Sequence, residues 1–232
     1  MKTYQALLFA LADTLLDFGA TQLAAMRATC EAHGFSFDDD LYARFCAING
    51  ELWRDYEEGR LSQTEVMHSR HERLFRHYGQ KVDGAEIDHT YREHLAVGYH
   101  AFDGALELVN ELQEHFRLYI VSNGVSPIQH SRLAGSGLKP HFQDVFVSSD
   151  TGYQKPQRGF FEHVFARIPD FSPASALIIG DSLSADVRGG HHAGIDTCWF
   201  NPGQKPNDLG LAPTYEVRRY DELRAIVGAA RA

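Results

Sequence analysis

Cysteine is scarce in this chain: Cys30, Cys46 and Cys198 are the only three, odd in number and far apart. That pattern excludes a disulfide framework and a paired-cysteine zinc site, and it suits free thiols in a reducing compartment. Long apolar runs are also missing. The run nearest the N-terminus, Ala6 to Ala12, has seven residues, too few for a spanning helix, and no signal-peptide cleavage pattern follows it. A cytoplasmic protein without membrane contact is expected. Positive charge is in deficit, with 22 Lys and Arg against 31 Asp and Glu for a formal net charge of −9. A broad field of that sign repels nucleic acid polymers and anionic membranes, so the expected partner is a small molecule held by local groups. Repeats and low-complexity segments are absent as well. What is present is an ordinary globular composition, 44% hydrophobic over 232 residues, enough to bury a sizeable core.

Short, wholly apolar runs recur at Ala6–Ala12, Leu118–Val121, Val145–Val147, Ala176–Ile179 and Thr197–Phe200. Runs of this kind suit strands buried on both faces of a parallel sheet. Helical patterns alternate with them at Gly104–His115, Pro127–Ser136, Arg158–Arg167 and Ser184–Ala193, which predicts a doubly wound α/β core with right-handed crossovers. One stretch breaks the rhythm. Between Asp17 and Val97 there is no strand signal, only helix-like segments near Ala20–His33, Asp38–Glu58, Ser62–Tyr78 and Gly84–Val97. Gly34, Gly59 and Gly79 punctuate them, and Ser62 with Glu65 reads as a capping box. The expected organisation is a core of residues 1–16 and 98–232 with a helical cap, 17–97, inserted after the first strand.

Ligands of open parallel sheets bind beyond the carboxyl ends of the strands. The residues there are Ala12-Asp13-Thr14, then Ser122-Asn123-Gly124, then the segment ending Lys155-Pro156, and finally Gly180-Asp181 running to Asp186. A hydroxyl with backbone amides, a lysine and two acids are the parts of a phosphate and divalent-cation site. Each has a bland alternative: Ser122–Gly124 as a turn, Lys155 as a solvated loop lysine, Asp181 and Asp186 as acids favoured at a helix start. Their order and shared position favour the joint reading.

In that order the motifs resemble the haloacid dehalogenase superfamily, most closely its pyrimidine nucleotidase branch. The resemblance spans the chain and rests on Asp13–Phe18, Leu52-Trp53 with Glu58-Gly59, Val121–Gly124, Gly180–Ser182 and Ala193–Trp199. It implies a Mg²⁺-dependent phosphomonoesterase acting on a small phosphorylated metabolite, a nucleoside 5′-monophosphate, through an aspartyl-phosphate, with a cap that closes over the core. It assigns Ser122 and the amides of Asn123 and Gly124 to the phosphoryl oxygens and Lys155 to neutralising their charge. Asp181 would ligate Mg²⁺ together with the backbone carbonyl of Ala12, and Asp186 would support the loop or Lys155. Phe18, Trp53 and Tyr56 become candidate base-stacking residues, against the ordinary reading of helical aromatics as core. His68 with His71, and His191 with His192, lack an acidic partner at ligand spacing.

One departure matters. The family's first motif reads apolar-Asp-x-Asp-x-Thr, its first carboxylate attacking phosphorus and its second exchanging protons with the leaving oxygen and with water. Here Ala10 and Ala12 stand at both positions. A methyl group does neither task and binds no metal, so activity near background and weakened Mg²⁺ binding are expected. Strand alternation predicts that Asp13 points away from the face shared by Ala10 and Ala12 and cannot deputise. Loss of both carboxylates beside otherwise intact motifs suits deliberate inactivation. The alternative is a natural pseudoenzyme that binds or senses a phosphorylated metabolite. A dehalogenase would still need the first carboxylate, and a receiver domain has no large helical insert.

Overall fold

The computed structural model describes residues 3–229, so the outermost residues of the expected core, 1–2 and 230–232, lie outside it. The chain divides into two compact units. One holds the chain up to Asp17 and again from Tyr99 onward; the other is Phe18–Gly98.

The first unit is built on six parallel strands: β1 (Ala6–Phe9), β2 (Arg117–Ser122), β3 (Asp144–Val147), β4 (Ala176–Gly180), β5 (Asp196–Phe200) and β6 (Tyr215–Val217). Their spatial order is β3-β2-β1-β4-β5-β6. β1 pairs on one side with β2, Phe9 opposite Ile120, and on the other with β4, Phe9 opposite Ile179. Connections run outward from β1 in one direction through β2 and β3, and in the other through β4 to β6. The switch point therefore lies between β1 and β4, where sheets of this kind bind ligands.

Period-two alternation sorts the strand side chains onto two covered faces. Leu7, Phe9, Leu118, Ile120, Leu177 and Ile179 pack with helices α5 (Ala105–Leu112) and α10 (Tyr220–Ala229). Leu8, Tyr119, Val121 and Ile178 pack on the other face with Phe160, Phe161 and Val164 of α8 (Arg158–Phe165). The unit also contains two short 3₁₀ turns, Lys139–His141 and Pro173–Ser175, together with α6 (Ser126–Gly135), the single turn α7 (Ser148–Thr151) and α9 (Arg188–Ala193), the last preceded by a π-helical turn, Leu183–Val187.

The second unit is an all-helical cap of α1 (Phe18–Ala32), α2 (Asp39–Glu57), α3 (Gln63–His77) and α4 (Gly84–Ala96). Ser62 caps α3 through a reciprocal box, its hydroxyl accepting from the Glu65 amide while Glu65 accepts from the Ser62 amide. Asp38 and Asp83 cap α2 and α4. Its interior holds a charged knot, Arg70 Nη2 lying 2.5 Å from Asp88 Oδ1 with both side chains buried. Among the described residues no helix is long and apolar enough to cross a membrane.

Two details differ from the sequence expectation. β1 stops at Phe9 rather than running to Ala12, because the chain turns there: Leu15 and Leu16 amides both donate to the Leu11 carbonyl, and Asp13 adopts φ +52°. Strand alternation consequently does not govern residues 12 and 13. The structure also adds β6 and α10, which no apolar run announced. β6 is a three-residue edge strand with an exposed glutamate at its centre.

Candidate active site

Four chain segments meet at the carboxyl ends of β1, β2 and β4. Continuing the register of β1 sets Ala10 between Val121 of β2 and Gly180 of β4, and the Ala10 amide donates to the Ile179 carbonyl at 2.8 Å. Ala10 is buried and Ala12 partly buried. Lys155, only 3% exposed, reaches into this cluster. Its ammonium donates to the Val121 carbonyl at 2.8 Å and to Asp186 Oδ1 at 2.5 Å. An ammonium carries three N–H donors, so one is left directed at neither of these partners.

Lys155 is held by its backbone as well. Asn123 Nδ2 donates to the Lys155 carbonyl and the Lys155 amide donates to Asn123 Oδ1, both at 2.8 Å. The Asn123 side chain thus clamps the loop that delivers the lysine, and the Lys155–Pro156 peptide is cis. Ser122 Oγ is buried and accepts a 2.6 Å bond from Gln129 Nε2, which leaves its hydroxyl proton to donate. The Gly124 amide donates to Ser148 Oγ at 3.2 Å, so that N–H is satisfied within the protein rather than offered outward.

The acidic part of the site comes from β4 and the π turn. Asp186, 2% exposed, accepts Lys155 on Oδ1 and the Ser182 amide on Oδ2 at 3.1 Å. That approach requires glycine at 180, since a Cβ there would lie 2.1 Å from Asp186 Oδ2. Asp181 has a side chain 21% exposed, and its carbonyl accepts the Trp199 indole N–H at 2.9 Å. Its carboxyl is pushed up to about 7, first by desolvation and then by the like charges of Asp186 and Asp13, with Lys205 and Lys155 pulling the other way. The Asp13 charge is thus near enough to act on Asp181.

A divalent cation fits this donor set. Asp181 is a hard oxygen ligand whose ionisation the surrounding carboxylates oppose and a bound cation favours. Among the described residues no group of three or more His, Cys, Asp or Glu side chains could hold a metal unaided. Water, backbone carbonyl and a substrate phosphate would have to complete the shell, as is common for Mg²⁺.

Phe18 and Trp53 belong to the helical unit, Phe18 at the first position of α1 and both partly buried. Trp53 packs edge-on against Tyr56 at 5.4 Å within a small cluster around Leu52 and Val66, and Tyr56 is buried. Four participants escaped the sequence reading of the site: Gln129, Trp199, Asn201 and Lys205. Lys205 Nζ stands 3.6 Å from Asp181 Oδ2. Asn201 and Lys205 follow the fifth apolar run, and the rule applied to the ends of the other four would have flagged them there.

A six-stranded parallel sheet, a helical insertion after its first strand and a lysine with two aspartates at the switch point define a haloacid dehalogenase-like hydrolase. The profile of that family matches residues 8–200, and the chain belongs to it. It is 48% identical to YfnB of Bacillus subtilis over 98% of this chain and 97% of that protein. A crystal structure of YfnB bound to magnesium superimposes with a TM-score of 0.94 over 97% of this chain and 99% of that one. The pyrimidine 5′-nucleotidase PynA of Streptococcus pneumoniae is 40% identical over 95% of this chain and 93% of its own length. The pyrimidine 5′-nucleotidase YjjG of Escherichia coli is 26% identical over 84% and 86%.

Proposed function

We propose that this chain is a phosphomonoesterase scaffold for pyrimidine nucleoside 5′-monophosphates and that, with Ala10 and Ala12 in place, it binds such esters without appreciable turnover. The observation that carries the reading is the buried Lys155 ammonium, bonded to the Val121 carbonyl one residue before Ser122 at the end of β2 and acting electrostatically on the Asp181 carboxyl at the end of β4. The substrate class is supported by the two nucleotidases among its relatives.

Ser122 donates its hydroxyl proton to a phosphoryl oxygen, and the Asn123 amide, on the same loop, supplies a second donor. Lys155 sets a fixed positive charge beside those oxygens, held against rotation by Val121 and Asp186. Such preorganised donors are the larger part of phosphoryl-transfer catalysis. Asp181 and the Ala12 carbonyl would hold Mg²⁺, which supplies charge neutralisation of the phosphate when bound. The missing carboxylates remove the covalent route. No side-chain oxygen at position 10 can form the bond to phosphorus, and none at position 12 can pass a proton to the departing ester oxygen.

The test restores both. The double variant Ala10→Asp, Ala12→Asp, assayed with Mg²⁺ against nucleoside monophosphates and sugar phosphates, is expected to hydrolyse pyrimidine monophosphates at least ~10³-fold faster than the present chain, because groups acting as a unit carry factors of up to ~10⁶. Turnover of the present chain within about tenfold of that variant overturns the inactivity. A flat response across the panel overturns the substrate class.

A further inference from the structure

Lys205 lies outside every motif that defines the site, yet the fold delivers it to Asp181. Its backbone is fastened by the buried Asn201 side chain, which accepts from the Lys205 amide at 2.8 Å and donates to the Lys205 carbonyl at 3.1 Å. Asn201 is itself anchored, its Nδ2 donating to Glu216 Oε1 at 3.0 Å and its amide to the Val217 carbonyl at 2.7 Å. Residues 202–210 are exposed, and further ties hold the loop at its far end. Asn207 exchanges hydrogen bonds with Leu211, Thr214 exchanges them with Thr197, and Leu211 packs on Leu183, Val187 and Trp199 beside the turn that carries Asp186. A solvated loop lysine needs none of this. The Lys205 side chain is 62% exposed, so its ammonium keeps much of its hydration and can leave Asp181 at small cost.

We propose that Lys205 is a tethered counter-ion for Asp181 that competes with a divalent cation for that carboxylate. With the ion absent, the ammonium partly offsets the carboxylate cluster of Asp181, Asp186 and Asp13. A bound metal would displace the ammonium without disturbing the loop, because the tether is made through the backbone. Metal affinity is thereby set in part by a residue that no motif contains. The inference rests on the reading of Asp181 as a cation-binding carboxylate.

Mn²⁺ is the probe, its binding followed by electron paramagnetic resonance and water-proton relaxation at low ionic strength without phosphate. Lys205→Met is expected to bind Mn²⁺ about three- to fivefold more tightly, the upper part of the range of an exposed ion pair, or to gain binding if the parent shows none. Lys205→Arg should match the parent. Lys139→Met, an exposed lysine elsewhere in the same unit, should shift affinity less than 1.5-fold. Affinity of Lys205→Met that is unchanged or weaker, or a Lys139→Met gain of equal size, overturns the proposal. Asp181→Asn separates the two levels. If it binds Mn²⁺ as well as Lys205→Met does, the reading of Asp181 fails and the competition falls with it; if it loses binding while Lys205→Met gains none, only the competition fails.

Discussion

Lys155 and Asp186 are each nearly inaccessible and 2.5 Å apart, so each is the other's solvent. Replacing one partner of a buried pair strands the other charge, at a typical loss of ~3–5 kcal/mol. Lys155→Met should therefore lower unfolding free energy by roughly 3 kcal/mol in urea titrations followed by circular dichroism. A loss below about 1 kcal/mol would assign the pair to the weak class of surface bridges. Asp186→Asn should be milder, since the ammonium retains the Val121 carbonyl. Asn123 shows why residue type and residue role are separate matters at this scale. Its side chain is consumed in holding the Lys155 loop, so a ligand would meet its backbone.

Among the elements, α3 owes its start to one local device. The Ser62–Glu65 box satisfies two amides that a helix end leaves without partners. It lies on the exposed side of the cap, and Ser62→Ala should cost about 1 kcal/mol, read as a fall in the melting temperature. An unchanged melting temperature would mean that tertiary packing alone fixes this helix. β1 shows the opposite balance. Its apolar run continues to Ala12, but the strand ends at Phe9 because the Leu11 carbonyl takes the amides of Leu15 and Leu16. A residue pattern cannot reveal that choice between ladder and turn.

At the scale of the molecule the two units respond to acid in opposite senses. In the helical unit His71 is completely buried against Phe45 and Tyr91, with Nε2 3.5 Å from Asp88 Oδ1. Burial lowers its pKa to about 4 from 6.5. Between those values the unfolded chain takes up a proton that the folded one refuses, so stability falls as pH drops, by about 2 kcal/mol at pH 5. Burial of Asp88 opposes its ionisation, but the His71 ring and Arg70 outweigh it and leave the carboxyl below its usual range. That contribution is lost only at still lower pH. Asp181 runs the other way. Its carboxyl is raised to about 7 from 3.8, so the charge strain in the α/β unit grows as pH rises through that window and is relieved in acid. Hydrogen exchange, corrected for intrinsic rates, should show α3 and α4 losing protection between pH 7 and 5 before β1 and β4 do. His71→Phe should remove most of the difference; equal loss in both units would refute the assignment.

The sequence by itself determined the parallel sheet, the helical insertion and the order of the site motifs. Each is written in local signals: apolar runs of strand length, caps and glycines between helices, and polar residues directly after the runs. It also determined that positions 10 and 12 carry no carboxylate, which is covalent chemistry and independent of folding. Tertiary structure alone decided the rest. It ended β1 early and brought Asp13 to bear on Asp181, joined Lys155 to Asp186 across 31 residues of chain, and set Asn201 to hold Lys205 beside Asp181. Those outcomes depend on which partner a hydrogen-bonding or charged group finds once distant segments meet, a competition among through-space neighbours that spacing along the chain does not encode.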